Sequence, residues 1–483
     1  MADIAFLPAK KLAGLIRKGE VGCLELLEHY LDRVERYNPA LNAIIATDLP
    51  AARRRAHAAD RARAKGELWG PLHGVPMTVK ESFDVAGLPT TWGVPALKSH
   101  VAARNALSVD RWLGAGAVVF GKTNVPIWLA DWQSYNAIYG TTNSPWDPTL
   151  VPGGSSGGAT AALAAGLTGI EMGSDIASSI RTPAALCGVF GHKPTFGICP
   201  TDGHTVNDNV AALDILAIGP LARSADDLAL GLSVIAGPDG IDAAGWRLAL
   251  PAPRKTRLRD FRVGVILDHR TAPVDPEVSA LIGRLADFLR KQKAKVSDSA
   301  RPDIDLDDAH HTFDVLLRAA TSARFSDAEQ AAFRDELGRL PARTNTKRSR
   351  MLRGNTLLHR DWLRLNEARH RMRLKWHAWF ADYDLLLCPV LCTAALPHDQ
   401  RPHYDRTITI RGKEYPAPNQ LFWSGYSGMS FLPATAAPLG FTADGRPVGV
   451  QIIGPQYGDR TCIQFARLLE KEYQGFVAPP GFA

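Results

Sequence analysis

The sequence has few cysteines, and their arrangement excludes two common uses of this residue. Its six cysteines are scattered over 483 residues and include no Cys-x-x-Cys pair. Structural zinc sites need closely spaced ligand pairs, and small secreted domains need a dense disulfide framework. We therefore expect reduced thiols and no metal site.

Long apolar runs and a secretory leader are missing as well. The first twenty residues contain no apolar run between a basic region and a small-residue cleavage site. The run ATAALAAGLTGI, at 159–170, has twelve residues, whereas a membrane-spanning helix needs about 20. We expect a buried core helix there, no membrane span and a cytoplasmic protein.

Positive charge is concentrated in one segment. Residues 343–375 contain eleven Lys or Arg and two acidic residues, so this segment has a charge of +9 in a chain of net charge +7. Apolar residues recur there at helical spacing, namely Leu357, Leu358, Trp362, Leu365, Met372 and Trp376. We expect an amphipathic helix with a solvated basic face and no nucleic-acid partner. Contact with a polyanion or a membrane surface is the alternative.

No internal repeat, low-complexity tract or long linker divides the chain. Its 46% hydrophobic and 22% charged residues are typical of a globular protein with a large core. We expect a single domain over 1–483. The segment at about 300–380 is poor in strands and rich in charge, which predicts a helical, partly basic insertion beside the sheet. Such insertions often shape the mouth of an active site.

Helices and strands alternate along the rest of the chain. Residues 8–37 predict two helices, the second ending before Pro39. Short apolar runs bounded by Gly, Pro or Asn are typical of buried parallel strands. These runs are ALNAIIA, GVPMTVK, AVVFGKT, FRVGVILD and YDLLLCPVL. The alternation predicts an α/β fold whose sheet takes strands from the whole length.

Two glycine-rich stretches carry serines, PGGSSGGATAALAAG at 152–166 and GSDIASSIRTPA at 173–184. The first lacks the Gly-Lys-Ser/Thr ending of a P-loop and the Gly-x-Gly-x-x-Gly spacing of a dinucleotide site. A Gly-x-Ser-x-Gly nucleophile elbow is also absent. These loops therefore favour acyl transfer by an activated serine, which needs a base and backbone donors, over nucleotide binding.

Candidate bases are few. Four histidines lie near these loops or in the charged segment: His73, His192, His310 and His311. No metal or triad motif surrounds them, so we interpret them as structural. Lys80 differs, because it ends the apolar run GVPMTVK, where a strand would carry it into the interior. A buried lysine requires a specific role.

Taken together, five segments resemble the amidase signature family in order and spacing: GVPMTVKE, GKTNVP, GGSSGG, GSDIASSIRTPA and GHKPT. The resemblance extends from the leading helices to DGRPVGVQIIGP and so covers nearly the whole chain. It implies one α/β domain with a central mixed, largely parallel β-sheet flanked by helices. It also implies hydrolysis of a small-molecule amide, without a metal or organic cofactor.

The resemblance further implies a Ser–cis-Ser–Lys triad. Ser179 is then the nucleophile, Ser155 follows a cis peptide bond after Gly154, and Lys80 is the base. A lysine with an ordinary pKa near 10.4 is almost wholly charged at pH 7, so burial must lower that pKa by about three units. Ser155 would relay the proton of Ser179 to Lys80 as an acyl-enzyme forms.

Three further residues are implied to support this triad. Ser174 stands where family members often have threonine and would hydrogen bond to Ser155. Asp175 and Arg181 would brace the nucleophile loop. All three lie within the second glycine-rich stretch.

The residues before the nucleophile depart from the family pattern. Where members usually have two glycines, this chain has Ala177 and Ser178. A Cβ there costs strain if φ is positive, yet the backbone N–H groups remain. We expect an oxyanion hole formed by the N–H groups of Ile176, Ala177, Ser178 and Ser179.

Aromatic residues are the candidates for the substrate pocket, with burial in the core as the alternative. They are Trp128, Trp132, Phe196, Phe422, Trp423 and Tyr426. If several line the mouth, an aryl or medium-length acyl amide fits better than a small polar one, and a carbamate or an ester could share the chemistry. We expect a monomer or homodimer.

Two other functions stay open. One is a glutaminase-type subunit of a tRNA-dependent amidotransferase, which needs partner chains and a charged pocket for the α-groups of glutamine. The sequence does not identify residues for that pocket. The other is a binding protein that kept the fold and lost catalysis through the Ala177 and Ser178 changes.

Overall fold

A computed structural model describes residues 3–205 and 209–483 of the chain. The α-helices in these ranges are α1 (Ala9–Lys18), α2 (Cys23–Leu41), α3 (Leu49–Ala64), α4 (Leu107–Gly114), α5 (Gly157–Ala164), α6 (Arg181–Cys187), α7 (Ala225–Ile235), α8 (Pro276–Lys291), α9 (Leu306–Ala320), α10 (Asp327–Arg339), α11 (Lys347–Asn355), α12 (His359–Trp379), α13 (Leu421–Gly428) and α14 (Asp459–Glu472).

The strands in the same ranges are β1 (Ile44–Thr47), β2 (Pro76–Lys80), β3 (Val118–Thr123), β4 (Tyr135–Asn136), β5 (Gly140–Thr141), β6 (Glu171–Asp175), β7 (Phe190–Lys193), β8 (Ala217–Ala222), β9 (Arg262–Val265), β10 (Lys295–Ser297), β11 (Leu385–Pro389), β12 (Thr407–Ile410), β13 (Lys413–Pro416), β14 (Ala434–Phe441) and β15 (Pro447–Ile453). Two pairs, β4 with β5 and β12 with β13, form small separate hairpins.

The main sheet is mixed and has eight strands in the order β10-β9-β11-β15-β14-β7-β8-β6. Five of them, β8, β9, β10, β11 and β14, run in one direction, as the largely parallel sheet of the fold class requires. Direct parallel pairing is nevertheless limited to β9 with β10 and with β11. The other neighbours are antiparallel, because short turns such as the one between β14 and β15 reverse the chain. Helices α8 and α14 cover the sheet in one apolar cluster, and α5 and α6 in another.

A second sheet has three strands in the order β1-β3-β2. The predicted sheet with strands from the whole length is therefore wrong for the first three strands, which form this separate sheet. The prediction of a parallel strand at ALNAIIA is also wrong, because β1 runs antiparallel to β3. An apolar run predicts a buried strand but contains no information on its direction or partner. The two sheets meet where Thr78, on β2, donates a hydrogen bond to Glu171, on β6.

Helix α2 continues to Leu41, so the prediction that it ends before Pro39 is wrong. The side chain of Asn38 holds this last turn in place by accepting hydrogen bonds from the N–H groups of Ala43 and Ile44, both at 2.9 Å. Asn42 then ends the helix with a left-handed φ of 50°. Proline weakens the final turn without ending it, because contacts beyond the helix compensate for the lost N–H.

The small-residue run after the first glycine loop forms α5, whose eight residues are all buried, as predicted. Within the described ranges no helix is both long and apolar enough to span a bilayer. All six cysteines are buried and form no disulfide.

The segment predicted to be a helical insertion contains α9, α10, α11 and α12. Its basic part is two helices rather than the single amphipathic helix that the sequence predicts. The first of these helices, α11, ends at Thr356, whose hydroxyl donates a hydrogen bond to the Leu352 carbonyl at 2.8 Å. Leu358, predicted to lie on the apolar face, is 56% exposed, whereas Trp376 is buried.

Candidate active site

Lys80 ends strand β2 and is completely buried. Its Nζ donates hydrogen bonds to Ser155 Oγ at 2.7 Å and to Ser174 Oγ at 2.9 Å. Burial lowers the pKa of Lys80 to about 7, although the carboxylates of Asp175 and Glu81 oppose this shift. An appreciable fraction of Lys80 is therefore neutral near pH 7 and able to accept a proton.

Ser174 occupies a different place from the one predicted. Its hydroxyl contacts Lys80, and among the described residues no hydrogen bond joins it to Ser155. The prediction that Ser174 supports Ser155 is wrong, because Ser155 Oγ and Ser174 Oγ are two separate acceptors for the same Lys80 ammonium group.

The two serine loops are tied together at the start of α5. The Gly154–Ser155 peptide bond is cis, as the resemblance implies. The N–H of Ser156 donates to the carbonyl oxygen of Ser179 at 3.1 Å, and Ser155 and Ser179 line one cavity. Within the described part of the chain no hydrogen bond joins the two hydroxyls. Catalytic hydrogen bonds often tighten only when substrate is bound.

Asp175 and Arg181 form an ion pair within the loop that contains Ser179, residues 173–183, which we call the nucleophile loop. Both side chains are 0% exposed, and the guanidinium binds the carboxylate through two contacts of 2.9 and 2.8 Å. The same carboxylate accepts the N–H groups of Ser178 at 2.8 Å and Ile180 at 3.2 Å. Burial opposes ionisation of Asp175, but the charge of Arg181 keeps the pKa of Asp175 below the usual value for a carboxyl group. The ion pair therefore fixes the backbone on both sides of Ser179.

Ser178 adopts the backbone conformation that glycine favours, with φ of 78°. Because its N–H donates to Asp175, the expectation that this N–H belongs to the oxyanion hole is wrong. Its buried hydroxyl has no hydrogen-bond partner among the described residues, and Ser178 is not part of the cavity wall.

The other three residues of the predicted oxyanion hole do line the cavity. They are Ile176, Ala177 and Ser179. Among the described residues, the N–H groups of these three find no acceptor. Three donors are therefore free to bind an oxygen atom near Ser179 Oγ.

The cavity at Ser179 has a volume of about 100 Å³ and opens beside a second cavity of about 490 Å³. Trp128 and Trp132, two of the six predicted pocket residues, line the first cavity. The indole Nε1 of Trp132 donates to the Ala177 carbonyl at 2.9 Å, which fixes the ring against the nucleophile loop. The two cavities share Trp92 and Trp128, so an aromatic wall connects them.

The other four predicted pocket aromatics lie elsewhere in the described structure. They are Phe196, Phe422, Trp423 and Tyr426, none of which lines either cavity. Phe196 stacks on Phe431 with ring centroids 4.7 Å apart, and Trp423 is fully buried. The prediction is wrong for Phe422, Trp423 and Tyr426 because α13 turns them into the core, while its first residue, Leu421, reaches the cavity. It is wrong for Phe196 because that ring packs on Phe431 instead.

Sequence reasoning missed His204, which lines the cavity and is fully buried. Its Nε2 lies 3.0 Å from Ser82 Oγ, and its Nδ1 has no hydrogen-bond partner among the described residues. Burial, together with the charge of Lys80, lowers the pKa of His204 to about 3, so the imidazole is neutral. No motif in the sequence marks this residue.

Two arginines were also missed. Arg318, in the last turn of α9, and Arg324, in the turn that follows, both line the cavity. The signal available in the sequence was their place in the segment predicted to shape the active-site mouth. The described residues contain no cluster of three or more His, Cys, Asp or Glu side chains suited to a metal ion.

Comparison with known proteins assigns this architecture to a family. Residues 25–463 match the family model described as Amidase. The chain is 32% identical to an indoleacetamide hydrolase of Bradyrhizobium diazoefficiens, over 95% of this chain and 85% of the relative. It is 33% identical to an acylamidase of Rhodococcus erythropolis, over 97% and 96% of the two chains. It is 32% identical to one of the subunits of the glutamyl-tRNA(Gln) amidotransferase of Synechococcus sp., over 96% of each.

A solved structure agrees with these relatives. A bacterial aryl acylamidase of the amidase signature family matches with a TM-score of 0.79 and 25% identity, over 97% of this chain and 96% of the other. The chain belongs to the amidase signature family. Its fold and its hydrolase class follow from that membership.

Proposed function

We propose that this protein is a serine-dependent amidase that hydrolyses an aryl or medium-length acyl amide through a seryl acyl-enzyme. A carbamate or an ester is a related substrate. The observation that carries the proposal is the buried contact of 2.7 Å between Lys80 Nζ and Ser155 Oγ, in the cavity that Ser179 also lines. A lysine whose pKa is about 7 is suited to the role of base.

In the first half of the reaction, Ser179 Oγ attacks the amide carbonyl carbon. As this C–O bond forms, the hydroxyl proton of Ser179 moves to Ser155, and Ser155 passes its own proton to Lys80. The carbonyl oxygen becomes an oxyanion that accepts hydrogen bonds from the N–H groups of Ile176 and Ala177. The N–H group of Ser179 is a third donor.

In the second half, the proton on Lys80 returns through Ser155 to the amide nitrogen, the C–N bond breaks and the amine leaves. Water then attacks the acyl-enzyme and loses a proton along the same path. Collapse of the second tetrahedral intermediate expels Ser179, which regains a proton, and the carboxylic acid is released.

The surroundings of Lys80 suit both of its charge states. Burial favours the neutral amine that starts the cycle, while the charges of Asp175 and Glu81 favour the ammonium group that forms during it. The Ser174 hydroxyl, at 2.9 Å, accepts a hydrogen bond from that ammonium group. Lys80 can therefore take up the proton and release it again within one reaction cycle, as a general base with a pKa near the working pH does.

The preference for an aryl or acyl substrate has two supports. Trp92, Trp128 and Trp132 line the cavity, and such surfaces favour apolar groups. The relatives and the matching structure are named as an indoleacetamide hydrolase, an acylamidase and an aryl acylamidase.

The test compares purified wild type with Ser179→Ala, Lys80→Ala and Ser178→Ala on p-nitroacetanilide, a longer acyl anilide, an aryl carbamate and glutamine. We expect the first two variants to lose at least about 10³-fold in kcat/KM. Ser178→Ala is the matched control, because its side chain is next in sequence and outside the cavity, and it should stay within about threefold of wild type.

A serine-directed fluorophosphonate probe gives a second readout. It should label wild type and Ser178→Ala and leave Ser179→Ala unlabelled. Absence of both labelling and turnover in wild type would instead support the non-catalytic binding protein. Retention of turnover by Ser179→Ala would refute the mechanism.

A glutaminase component of an amidotransferase is the second candidate, because the similarity to the Synechococcus amidotransferase chain covers nearly the whole of both chains. We expect this chain to hydrolyse anilides without partner chains. Glutamine as the preferred panel member, with activity that rises on addition of amidotransferase partner chains, would favour the second candidate.

A further inference from the structure

The cavity that holds Ser179 is bordered by two positively charged side chains. Arg318 and Arg324 both line it. Among the described residues, no ion pair or side-chain hydrogen bond involves the Arg324 guanidinium. It lies over the Phe325 ring, with its Cζ 4.9 Å from the ring centroid, and more distant charges, including that of Arg318, also act on it. An arginine left in this state at a cavity wall is available for a ligand.

The carboxylate nearest Arg318 is already shared. Asp314 lies 3.5 Å from Arg318 Nε and 3.0 Å from Arg350 Nε, so one negative charge serves two guanidinium groups. Lys347 also acts on Asp314, but burial lowers the pKa of Lys347 to about 7, so this lysine is only partly charged near neutral pH. Its buried Nζ has no hydrogen-bond partner within the described residues. We call Arg318, Arg324, Lys347, Arg350 and Asp314 the cationic cluster.

The described residues of the cavity wall offer no free counterion. The only carboxylate among the described lining residues is Asp131, which binds Arg406 through contacts of 2.8 and 2.7 Å. Burial lowers the pKa of His204 and of His403, which also line the cavity, to about 3, so neither is charged. The net charge presented to a ligand is therefore positive.

This imbalance has an energetic cost in the free protein. Burial and the neighbouring charge of Arg318 lower the pKa of Arg324 to about 10, which still leaves the group fully protonated at neutral pH. Among the described residues, the two arginines at this cavity have only the shared Asp314 as a nearby counterion, and such an imbalance destabilises the fold. Departures from the rule that buried charges are paired are expected at functional sites.

We propose that Arg324, with Arg318 beside it, binds a carboxylate of the substrate, so that the enzyme prefers amides with a negative charge remote from the scissile bond. This inference rests on the proposed amidase function. A guanidinium group matches a carboxylate in geometry as well as in charge. With the tryptophans of the same cavity, it defines the substrate class as carboxylated aryl or acyl amides.

Glutamine fits this site poorly. Its α-carboxylate could bind Arg324, but its α-ammonium group would need a carboxylate. Asp131 is engaged by Arg406, and Asp314 is shared by arginines. The charge balance therefore favours an anionic substrate over a zwitterionic one.

The experiment uses two pairs of substrates in which a methyl group replaces the carboxylate. Glutaryl-p-nitroanilide and pentanoyl-p-nitroanilide test the acyl side, and 4-acetamidobenzoate and 4-methylacetanilide test the amine side. We expect wild type to prefer the anionic member of at least one pair by about 10- to 100-fold in kcat/KM at low salt and pH 8.

Variants then locate the preference. Arg324→Gln should lower the anionic-to-neutral ratio to near one, and Arg324→Lys should restore part of it. Arg334→Gln, an exposed arginine on α10, is the matched control and should keep the wild-type ratio. A wild-type ratio near one for both pairs, or an unchanged ratio in Arg324→Gln, would overturn the inference and leave the amidase proposal intact.

Binding to Ser179→Ala separates this inference from the proposed function. Isothermal titration calorimetry should show the anionic member of the preferred pair binding at least about tenfold more tightly than the neutral one, with the difference lost in Ser179→Ala/Arg324→Gln. Failure of wild type to hydrolyse any substrate would refute the amidase function, while binding would still decide the role of Arg324. Equal affinities, or no binding, would overturn that role.

Discussion

Two regions that border the same cavity use charge in opposite ways. In the nucleophile loop, residues 173–183, the buried carboxylate of Asp175 is matched by one guanidinium, that of Arg181. In the cationic cluster, Asp314 is shared by the guanidinium groups of Arg318 and Arg350, and Arg324 has no ion-pair partner among the described residues. Charge balance completed within the chain indicates structural support, and charge balance left incomplete at a cavity indicates a ligand.

The reason lies in desolvation. A buried ion loses its hydration and regains stability only through a well-placed opposite charge and hydrogen bonds. Arg181 has both, since it also donates to Ser427 Oγ at 2.8 Å and to Gln451 Oε1 at 2.5 Å. Among the described residues Arg324 has neither, and it lines the solvent-connected cavity.

The largest predicted effect contrasts these two arginines. Arg181→Gln should lower the free energy of unfolding by about 3–5 kcal/mol, because it leaves Asp175 buried and uncompensated. Arg324→Gln should leave the free energy of unfolding unchanged or raise it, because the substitution relieves repulsion with Arg318. Urea unfolding followed by tryptophan fluorescence measures both, with the exposed Arg371→Gln as the baseline. Equal losses in the two variants would make Arg324 a structural cation.

The next effect concerns the base beside the nucleophile loop. With a pKa of about 7, Lys80 is neutral above that pH and protonated below it. We predict that kcat/KM for p-nitroacetanilide, which does not titrate, falls about tenfold per pH unit below 7 and levels off above it. Lys80→Arg, which stays charged, should be inactive at every pH. An acid limb centred below pH 5 would point to a different base.

The smallest effect tests the strain within the nucleophile loop. Ser178→Gly should raise the free energy of unfolding by up to about 1 kcal/mol, because φ of 78° is easier for glycine and a buried unpaired hydroxyl is removed. Turnover should stay within about threefold of wild type, since the N–H of residue 178 still binds Asp175. Ala177→Gly, at a residue without positive φ, should instead destabilise by about 0.5–1 kcal/mol. A Ser178→Gly variant that loses turnover would restore Ser178 to the site.

The sequence predicted the residues of the proposed triad better than it predicted the residues of the substrate pocket. The glycine-rich loops and the strand ending in Lys80 are contiguous segments, so their resemblance to a family located the proposed triad before any fold was known. The substrate pocket was only partly predictable, since Trp128 and Trp132 lie close in sequence to a motif and Phe422, Trp423 and Tyr426 do not. Composition cannot tell which face of a short helix such as α13 meets the cavity.

By itself, the sequence determined the family, the α/β class and the residues proposed for the chemistry, because each depends on short segments whose residue types are constrained locally. The tertiary structure alone decided the division into two sheets, the engagement of the Ser178 N–H by Asp175, and the approach of His204, Arg318 and Arg324 to Ser179. These features depend on contacts between residues far apart in the chain. Such contacts are set by packing and charge balance in three dimensions, which no local pattern of residues records.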